Sequence, residues 1–212
     1  LDARSGQLVV VEITEWNHLK EIPKGHLVEV LGWPGDPGVD VEAIVHHHGI
    51  NATFSPEVVE AARGIPIEIP ESEIARRSDW RERDVITIDP ETAKDFDDAV
   101  LAERTEKGWR LAVHIADVSH YVKPESILDQ EARERGNSTY LVDRVIPMLP
   151  EELSNGICSL VPQEDRLTKC AVIDFDASGR VLKSEFYDAV IRTPRKFTYA
   201  EAQEILENPG KG

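Results

Sequence analysis

The chain has 212 residues, of which 41% are hydrophobic, and its 40 acidic and 24 basic residues give a formal net charge of −16. This length can hold one large core or two small domains. No apolar run approaches the length that a membrane-spanning helix needs. The acidic balance argues against a chain that captures nucleic acid through a broad basic surface.

The cysteine content indicates the redox compartment, and the first residue indicates whether the chain is part of a longer protein. Two cysteines, Cys158 and Cys170, are too few for a disulfide framework, so a reducing compartment such as the cytoplasm fits the sequence. The chain begins at Leu1 rather than at a methionine and starts almost directly in a strand pattern. We therefore expect it to be a piece of a longer protein.

The pattern of residues 6–46 is typical of a small β domain. Three apolar runs rich in β-branched residues predict three strands: 7–13, 26–31 and 40–45. A Gly- and Pro-rich turn cluster at 32–38 separates the last two. Short strands at this spacing suit a small barrel.

Residues 47–79 have the character of a linker that contains two short helices. Ser55 as N-cap and Pro56 at the first helical position predict a helix that ends at Gly64. A second short helix is predicted over 71–77.

The most distinctive stretch is 89–98, whose acids have the spacing D-x5-D-x-D-D. It contains four aspartates: Asp89, Asp95, Asp97 and Asp98. Apolar runs at 85–88 and 99–102 place these acids where one predicted strand ends and the next begins, and Pro90 favours the end of the first. Carboxylates this dense repel one another unless a cation compensates them, and Mg²⁺ prefers oxygen ligands. The stretch therefore indicates a divalent-metal site, against the simpler alternative of a solvated acidic loop.

Two other chemistries can be tested on this spacing. An EF-hand loop starting at Asp95 would need a ligand and a glycine at its fifth and sixth positions, where Ala99 and Val100 stand, so it fails. A phosphatase with a nucleophilic pair at Asp95 and Asp97 needs a buried strand directly before the first aspartate, but residues 91–94 are Glu-Thr-Ala-Lys. The phosphatase remains a weak alternative.

After the acids, predicted strands and helices alternate. They are a strand over 109–122, a helix from Ser126 to Gly136 and a hairpin of 167–176 with 181–191. A last helix begins at a capping box of Thr198 and Glu201 and ends near 207. The first strand carries His114 and His120, for which structural roles are favoured over catalytic ones.

The acidic stretch resembles the catalytic signature of the ribonuclease II / ribonuclease R family, I-D-x5-D-x-D-D-A, which Ile88 to Ala99 match position by position. Further blocks similar to the family follow in family order at 114–122, 135–140, 146–150 and 153–160. The resemblance runs from about 79 to 206 and implies the N-terminal part of an RNB catalytic domain.

The resemblance also implies the domain organisation. Residues 1–46 would be the C-terminal part of a cold-shock, OB-like domain, 47–79 a linker, and 80–212 the N-terminal part of the RNB domain. The expected fold class is α+β, a partial OB-type β-barrel followed by part of a mixed α+β catalytic domain.

What the resemblance implies about activity is processive, hydrolytic 3′→5′ degradation of single-stranded RNA to nucleoside 5′-monophosphates. Asp89, Asp95, Asp97 and Asp98 would be the catalytic residues and would bind Mg²⁺, or Mn²⁺ in its place. Tyr140 matches the aromatic that stacks on the 3′-terminal base, with a packing role in the core as the alternative. Arg144 is a candidate phosphate contact, with a surface ion pair as the alternative.

Other interpretations stay open. A non-catalytic RNA-binding module of the same fold is one, although all four aspartates are present. The further partners implied are the rest of the RNB domain and additional RNA-binding modules. Because these lie outside the chain, we expect the chain alone to have little nuclease activity.

Overall fold

The computed structural model describes residues 2–16 and 22–208. The class is mixed α+β, as expected, with two compact units: Leu1–Ser55 with Arg133–Met148, and Pro56–Ala132 with Leu149–Gly212. None of the helices in the described residues has both the length and the apolar character that crossing a membrane requires.

The elements follow one another in a mixed order of strands and helices. They are β1 Leu8–Glu15, β2 Lys24–Gly32, α1 Val39–His47, α2 Pro56–Arg63, α3 Glu71–Ala75, β3 Ser78–Asp79, β4 Thr87–Asp89, β5 Asp98–Thr105, β6 Gly108–Ala116, α4 Val118–Tyr121, α5 Ile127–Arg135, β7 Thr139–Tyr140, β8 Val145–Ile146, a π-helical segment Glu152–Ile157, β9 Asp165–Asp176, β10 Val181–Arg192, β11 Lys196–Thr198 and α6 Tyr199–Glu207.

The first unit contains two antiparallel hairpins and α1. β1 pairs with β2 from Leu8 opposite Gly32 to Glu15 opposite Lys24. The second hairpin is much shorter, with β7 and β8 sharing two residue pairs. In the described residues these strands form open sheets rather than a closed barrel, in line with the partial barrel that the sequence predicts.

Residues 40–45, predicted as a third strand, belong to helix α1 instead, so this prediction is wrong. Gly38 occupies the N-cap with a φ of +85°, which favours glycine and turns the chain into the helix. Acidic residues lie in the first turn and histidines in the last, which complements the helix dipole. Val41 and Val45 are buried one helical turn apart, a spacing that strand and helix periods share.

The second unit is built on a five-stranded sheet with the order β3-β10-β9-β6-β5. The long hairpin of β9 and β10 confirms the prediction for 167–191, and β6 pairs antiparallel with both β9 and β5. A separate parallel pair, β4 with β11, aligns Asp89 with Thr198. Thr198 and Glu201 form the predicted capping box of α6.

The strand predicted over 109–122 ends at Ala116, so its last part is wrong. Asp117 is nearly fully buried and accepts a hydrogen bond from Arg77 Nη2 at 2.7 Å and one from Ser119 Oγ at 2.7 Å. A buried carboxylate must be paired, and at this paired residue the chain leaves the sheet and enters the short helix α4. Its partner Arg77 lies 40 residues away in the sequence.

Candidate catalytic site

The aspartate loop, defined as residues 89–98, runs from the end of β4 to the start of β5. Asp89 is the last residue of β4, and Asp98 is the first of β5, opposite Ile115 of β6. The main-chain oxygen of Asp97 accepts a hydrogen bond from the Ala116 amide at 2.9 Å. Both ends of the loop are thus fixed by strand pairing, as the flanking apolar runs predict.

A buried serine supports the middle of the loop. Ser159 has no exposed surface, and its Oγ accepts a hydrogen bond from the Phe96 amide at 3.0 Å while donating one to the Lys94 oxygen at 2.7 Å. The next amide, of Leu160, donates to the Phe96 oxygen at 2.9 Å. Phe96 itself is buried, so its backbone cannot rely on water for these bonds.

A lysine holds the other half of the loop. Lys196 Nζ, on β11, donates to the main-chain oxygens of Glu91 and Ala93 at 3.3 Å each. The same ammonium lies 4.5 Å from the centre of the Phe96 ring, within the range of a cation–π contact. Lys196 and Ser159 therefore both contact the loop near Phe96: Lys196 packs on the Phe96 ring, and Ser159 bonds to the Phe96 backbone.

The electrostatics of the loop disfavour its negative charge. Burial raises the pKa of Asp89, and the charge of Asp98 adds to the shift while Lys196 opposes it. Burial also raises the pKa of Asp97, with further contributions from Asp95 and Asp98. Asp97 is nevertheless an exposed residue as a whole, so solvent screening limits the free energy involved.

One carboxylate oxygen of the group has no partner. Asp89 Oδ2 is buried, and within the described part of the chain it has no hydrogen-bond partner. An unpaired buried carboxylate oxygen is costly, and a hard cation is a fitting ligand for it. The donor set of the loop therefore fits Mg²⁺ or Mn²⁺. Among residues 2–16 and 22–208, however, no three acidic, histidine or cysteine side chains are arranged to ligate one ion, so the metal assignment stays a prediction.

The two predicted substrate contacts lie in the first unit, whereas the aspartates lie in the second. Tyr140 is on β7 with 67% of its surface exposed. Arg144, near the tip of the same hairpin, forms ion pairs with Asp143 and Glu42, both at 2.9 Å. The surface ion pair weighed as its alternative role is therefore present.

His114 and Cys170 are core residues of the second unit. His114 is fully buried, its Nδ1 lies 3.0 Å from Thr168 Oγ1, and its ring meets that of Trp80 edge-on at 5.1 Å. Burial lowers the pKa of His114 to about 4, so it is neutral at physiological pH. Burial likewise raises the pKa of Cys170 to about 11, which makes its thiol inert. The structural role favoured for His114 agrees with this setting.

Sequence reasoning missed Ser159 and Lys196 as parts of the site. Ser159 lies in the Cys158-Ser159-Leu160 block that carries the family resemblance. A serine in the sequence does not by itself show that its hydroxyl accepts a hydrogen bond from an amide 63 residues earlier. Lys196 lies 105 residues from Glu91, between the predicted hairpin and the predicted last helix, where the sequence predicts no element.

Comparison with known proteins identifies both parts of the chain. The family model described as "RNB domain" matches residues 77–212, and the one described as "Cold shock domain" matches residues 1–55. Ribonuclease R of Thermotoga maritima is 43% identical over 210 residues, which cover 98% of this chain and 30% of that protein. Ribonuclease R of Acidithiobacillus ferrooxidans is 47% identical over 201 residues, covering 95% and 46%.

A solved structure agrees with these matches. Mycoplasma genitalium RNase R in complex with ribose methylated single-stranded RNA superposes with a TM-score of 0.93 at 32% identity, covering all of this chain and 33% of that one. The chain thus spans less than half the length of these relatives. Since the RNB match covers more than half of its residues, the chain belongs to the RNB-domain family, with a cold-shock domain preceding the RNB part.

Proposed function

We propose that this chain is part of a processive 3′→5′ exoribonuclease that hydrolyses single-stranded RNA to nucleoside 5′-monophosphates. The observation that carries the proposal is the aspartate loop, which presents the four aspartates of the family signature along one strand junction, from the last residue of β4 to the first of β5. Membership of the RNB family, and relatives named ribonuclease R, support the reaction class. The solved complex of the Mycoplasma genitalium relative with single-stranded RNA supports the substrate class.

The four aspartates would hold divalent cations, Mg²⁺ or Mn²⁺. We assign Asp89 and Asp98 to one ion, and Asp95 and Asp97 to the neighbourhood of a second ion or of the attacking water. Bound cations would supply an activated water and stabilise the leaving oxygen of an in-line displacement. The raised pKa values of Asp89 and Asp97 support this assignment, because a bound cation favours the charged forms that burial, and then the neighbouring carboxylates, disfavour.

The chain's own contribution is to fix the carboxylates before substrate arrives. Lys196 holds the backbone at Glu91 and Ala93, and Ser159 holds it at Lys94 and Phe96. A loop held in this way does not have to be ordered during the reaction, and such preorganisation is a large part of transition-state stabilisation.

Tyr140 would hold the 3′ end of the RNA by stacking on its last base. Its exposed ring supports this role, because stacking needs an accessible aromatic face. A direct phosphate contact by Arg144 remains a prediction, and its two carboxylate partners compete with it. With a net charge of −16, the chain would depend for RNA capture on the rest of the RNB domain and on further modules of the longer protein. A reducing, cytoplasmic location fits the proposal.

The test is Asp97→Asn in the full-length protein that contains this chain, assayed on 5′-labelled poly-adenylate with Mg²⁺. Loss of a group that acts on the reacting phosphate should lower the rate at least about a hundredfold. Glu91→Gln is the matched control, because it removes the same charge from the same loop at a position outside the signature.

A rate for Asp97→Asn within threefold of wild type would refute the proposal, and so would an equal loss in Glu91→Gln. Acid-quenched reactions with a phosphorylated substrate test the phosphatase alternative, which requires a phospho-aspartyl intermediate at Asp95. The 212-residue chain assayed alone should show negligible hydrolysis.

A further inference from the structure

We propose that Arg144 is a positioning residue, which acts through Glu42 of the cold-shock part to hold the β7–β8 hairpin and so set how Tyr140 meets RNA. The proposal rests on the proposed function only for the role of Tyr140. The attachment of the hairpin to α1 is an independent, structural claim.

At its tip the hairpin is attached to α1 by one guanidinium. Arg144 Nη1 donates to Glu42 Oε2 at 2.9 Å, and Nη2 donates to Asp143 Oδ2 at 2.9 Å. The Arg144 main-chain oxygen accepts the Leu141 amide at 2.9 Å and closes the turn directly after Tyr140. The same residue thus closes the turn with its backbone and ties it to α1 with its side chain.

A second arginine, Arg135, attaches the chain that leads into the hairpin to residues 51–54. Arg135 Nη1 donates to the Asn51 oxygen at 2.8 Å, and Nη2 donates to the Thr53 oxygen at 2.7 Å. Its guanidinium also stacks on the Phe54 ring, 3.7 Å from the centroid. Residues 133–148, which the RNB family model covers, therefore pack as part of the compact unit of the cold-shock match.

The beginning of α1 lies next to Arg144. A Cβ built on Gly38 would be 3.4 Å from Arg144 Nη2, an ordinary contact distance. A cation is electrostatically disfavoured at a helix N-terminus, since that end of the helix dipole is positive. The attraction that holds Arg144 there must therefore come from the carboxylates, and Glu42 is the one that α1 supplies.

The same geometry argues against a direct phosphate contact. Arg144 and its two carboxylate partners together carry one net negative charge, which repels RNA phosphate. Binding a phosphate would also require Arg144 to exchange one of these partners for it. The Arg144 charge therefore serves to hold the hairpin in position rather than to bind phosphate.

The experiment compares Glu42→Gln, Arg144→Gln and the double variant in the full-length protein. Short RNA oligonucleotides are bound in an Asp97→Asn background so that they are not consumed, and hydrogen exchange of the 139–146 amides is followed in parallel. Glu12→Gln, an exposed acid on β1 that does not contact Arg144, controls for the general effect of removing a negative charge.

Both single variants should weaken oligonucleotide binding by the same factor, about three- to tenfold, and should speed exchange in the hairpin. The double variant should be no worse than either single one, because both remove one interaction. Glu12→Gln should bind RNA as tightly as wild type or more tightly.

A phosphate contact predicts a different pattern. Arg144→Gln would then weaken binding and reduce its salt dependence, while Glu42→Gln would leave binding unchanged or tighten it. That pattern, or unchanged hairpin exchange in both variants, overturns the proposal. Failure of the proposed function is distinguishable, because it would appear as Asp97-independent hydrolysis and leave the exchange result untouched.

Discussion

Two loops are expected to meet the RNA, and they are held by opposite kinds of interaction. The aspartate loop is held by a fully buried serine and by main-chain hydrogen bonds. The Tyr140 hairpin is held at its tip by an ion pair in which the Arg144 side chain is 43% exposed. Buried hydrogen bonds are costly to break, whereas exposed ion pairs contribute only about 0–1 kcal/mol and weaken with salt.

The difference fits the roles proposed for the two loops. Groups that act on a reacting phosphate must stay within a fraction of an ångström of their position, which a buried support provides. A ring that stacks on successive bases of a moving strand has to accept every base and release it. A weaker, solvent-exposed attachment suits that task.

Ser159→Ala is expected to have the largest effect, because it removes the buried hydroxyl that supports the aspartate loop. The Phe96 amide and the Lys94 oxygen would lose their partner, and an unsatisfied buried group costs about 1–3 kcal/mol of unfolding free energy. Loss of a residue that orients metal ligands typically lowers metal affinity or activity about 10–100-fold.

Titration calorimetry with Mn²⁺ and thermal unfolding measure these two quantities for Ser159→Ala. Ser184→Ala, at an exposed position of β10, is the matched control. If Ser159→Ala bound Mn²⁺ like wild type while losing stability, Ser159 would support the fold but not the site.

A smaller effect is expected from Tyr140→Ala, which tests the hairpin. A stacked base is worth about 1–3 kcal/mol, and for an exposed ring we expect the lower end, about fivefold in affinity for short oligonucleotides. The final products should also become longer, while the rate on long RNA at saturation should change little. Tyr199→Ala, a comparably exposed tyrosine on α6, controls for loss of a surface ring.

Unchanged product length together with unchanged affinity in Tyr140→Ala would remove the stacking role. The hairpin would then be a structural element, and the contrast between the two loops would concern stability alone.

The sequence predicted what depends on neighbouring residues and missed what depends on distant ones. The capping box of Thr198 and Glu201 lies within one turn and was correct. The end of β6 was wrong because Arg77, the partner of Asp117, lies outside any local pattern. α1 is an exception and a local error, because the spacing of Val41 and Val45 satisfies both helix and strand.

The candidate site divides in the same way. The spacing of the aspartates located the loop between two strands, since strand ends follow from apolar runs and Pro90. Its supports could not be found, because Ser159 and Lys196 approach the loop only after β11 pairs with β4 and the π-helical segment is in place. The partner of Arg144 is equally remote, 102 residues away.

Asp97→Asn is expected to have the smallest effect, on stability, because the aspartate loop, although well supported, holds a carboxylate whose charged form burial disfavours. The folded-state pKa of Asp97 is raised, first by burial and then by Asp95. Folding therefore favours its protonated form, and stability is lost as pH rises from the unfolded pKa of aspartate, about 4, through the folded value. At pH 7 the full penalty is present, so Asp97→Asn should raise the melting temperature of the metal-free chain. Screening at an exposed residue keeps the gain to roughly 1–3 °C.

The dependence of this gain in melting temperature on pH and on metal tests whether the charge of Asp97 causes it. Near pH 3 the Asp97 carboxyl is protonated in both states, so the difference between Asp97→Asn and wild type should vanish. Saturating Mg²⁺ should stabilise wild type more than the variant, because the cation offsets the same repulsion. Differential scanning calorimetry at pH 3 and pH 7, with and without Mg²⁺, measures all four conditions. A variant that melts below wild type at pH 7 without metal would show that the Asp97 carboxylate stabilises the loop, and that its charge is compensated within the protein itself.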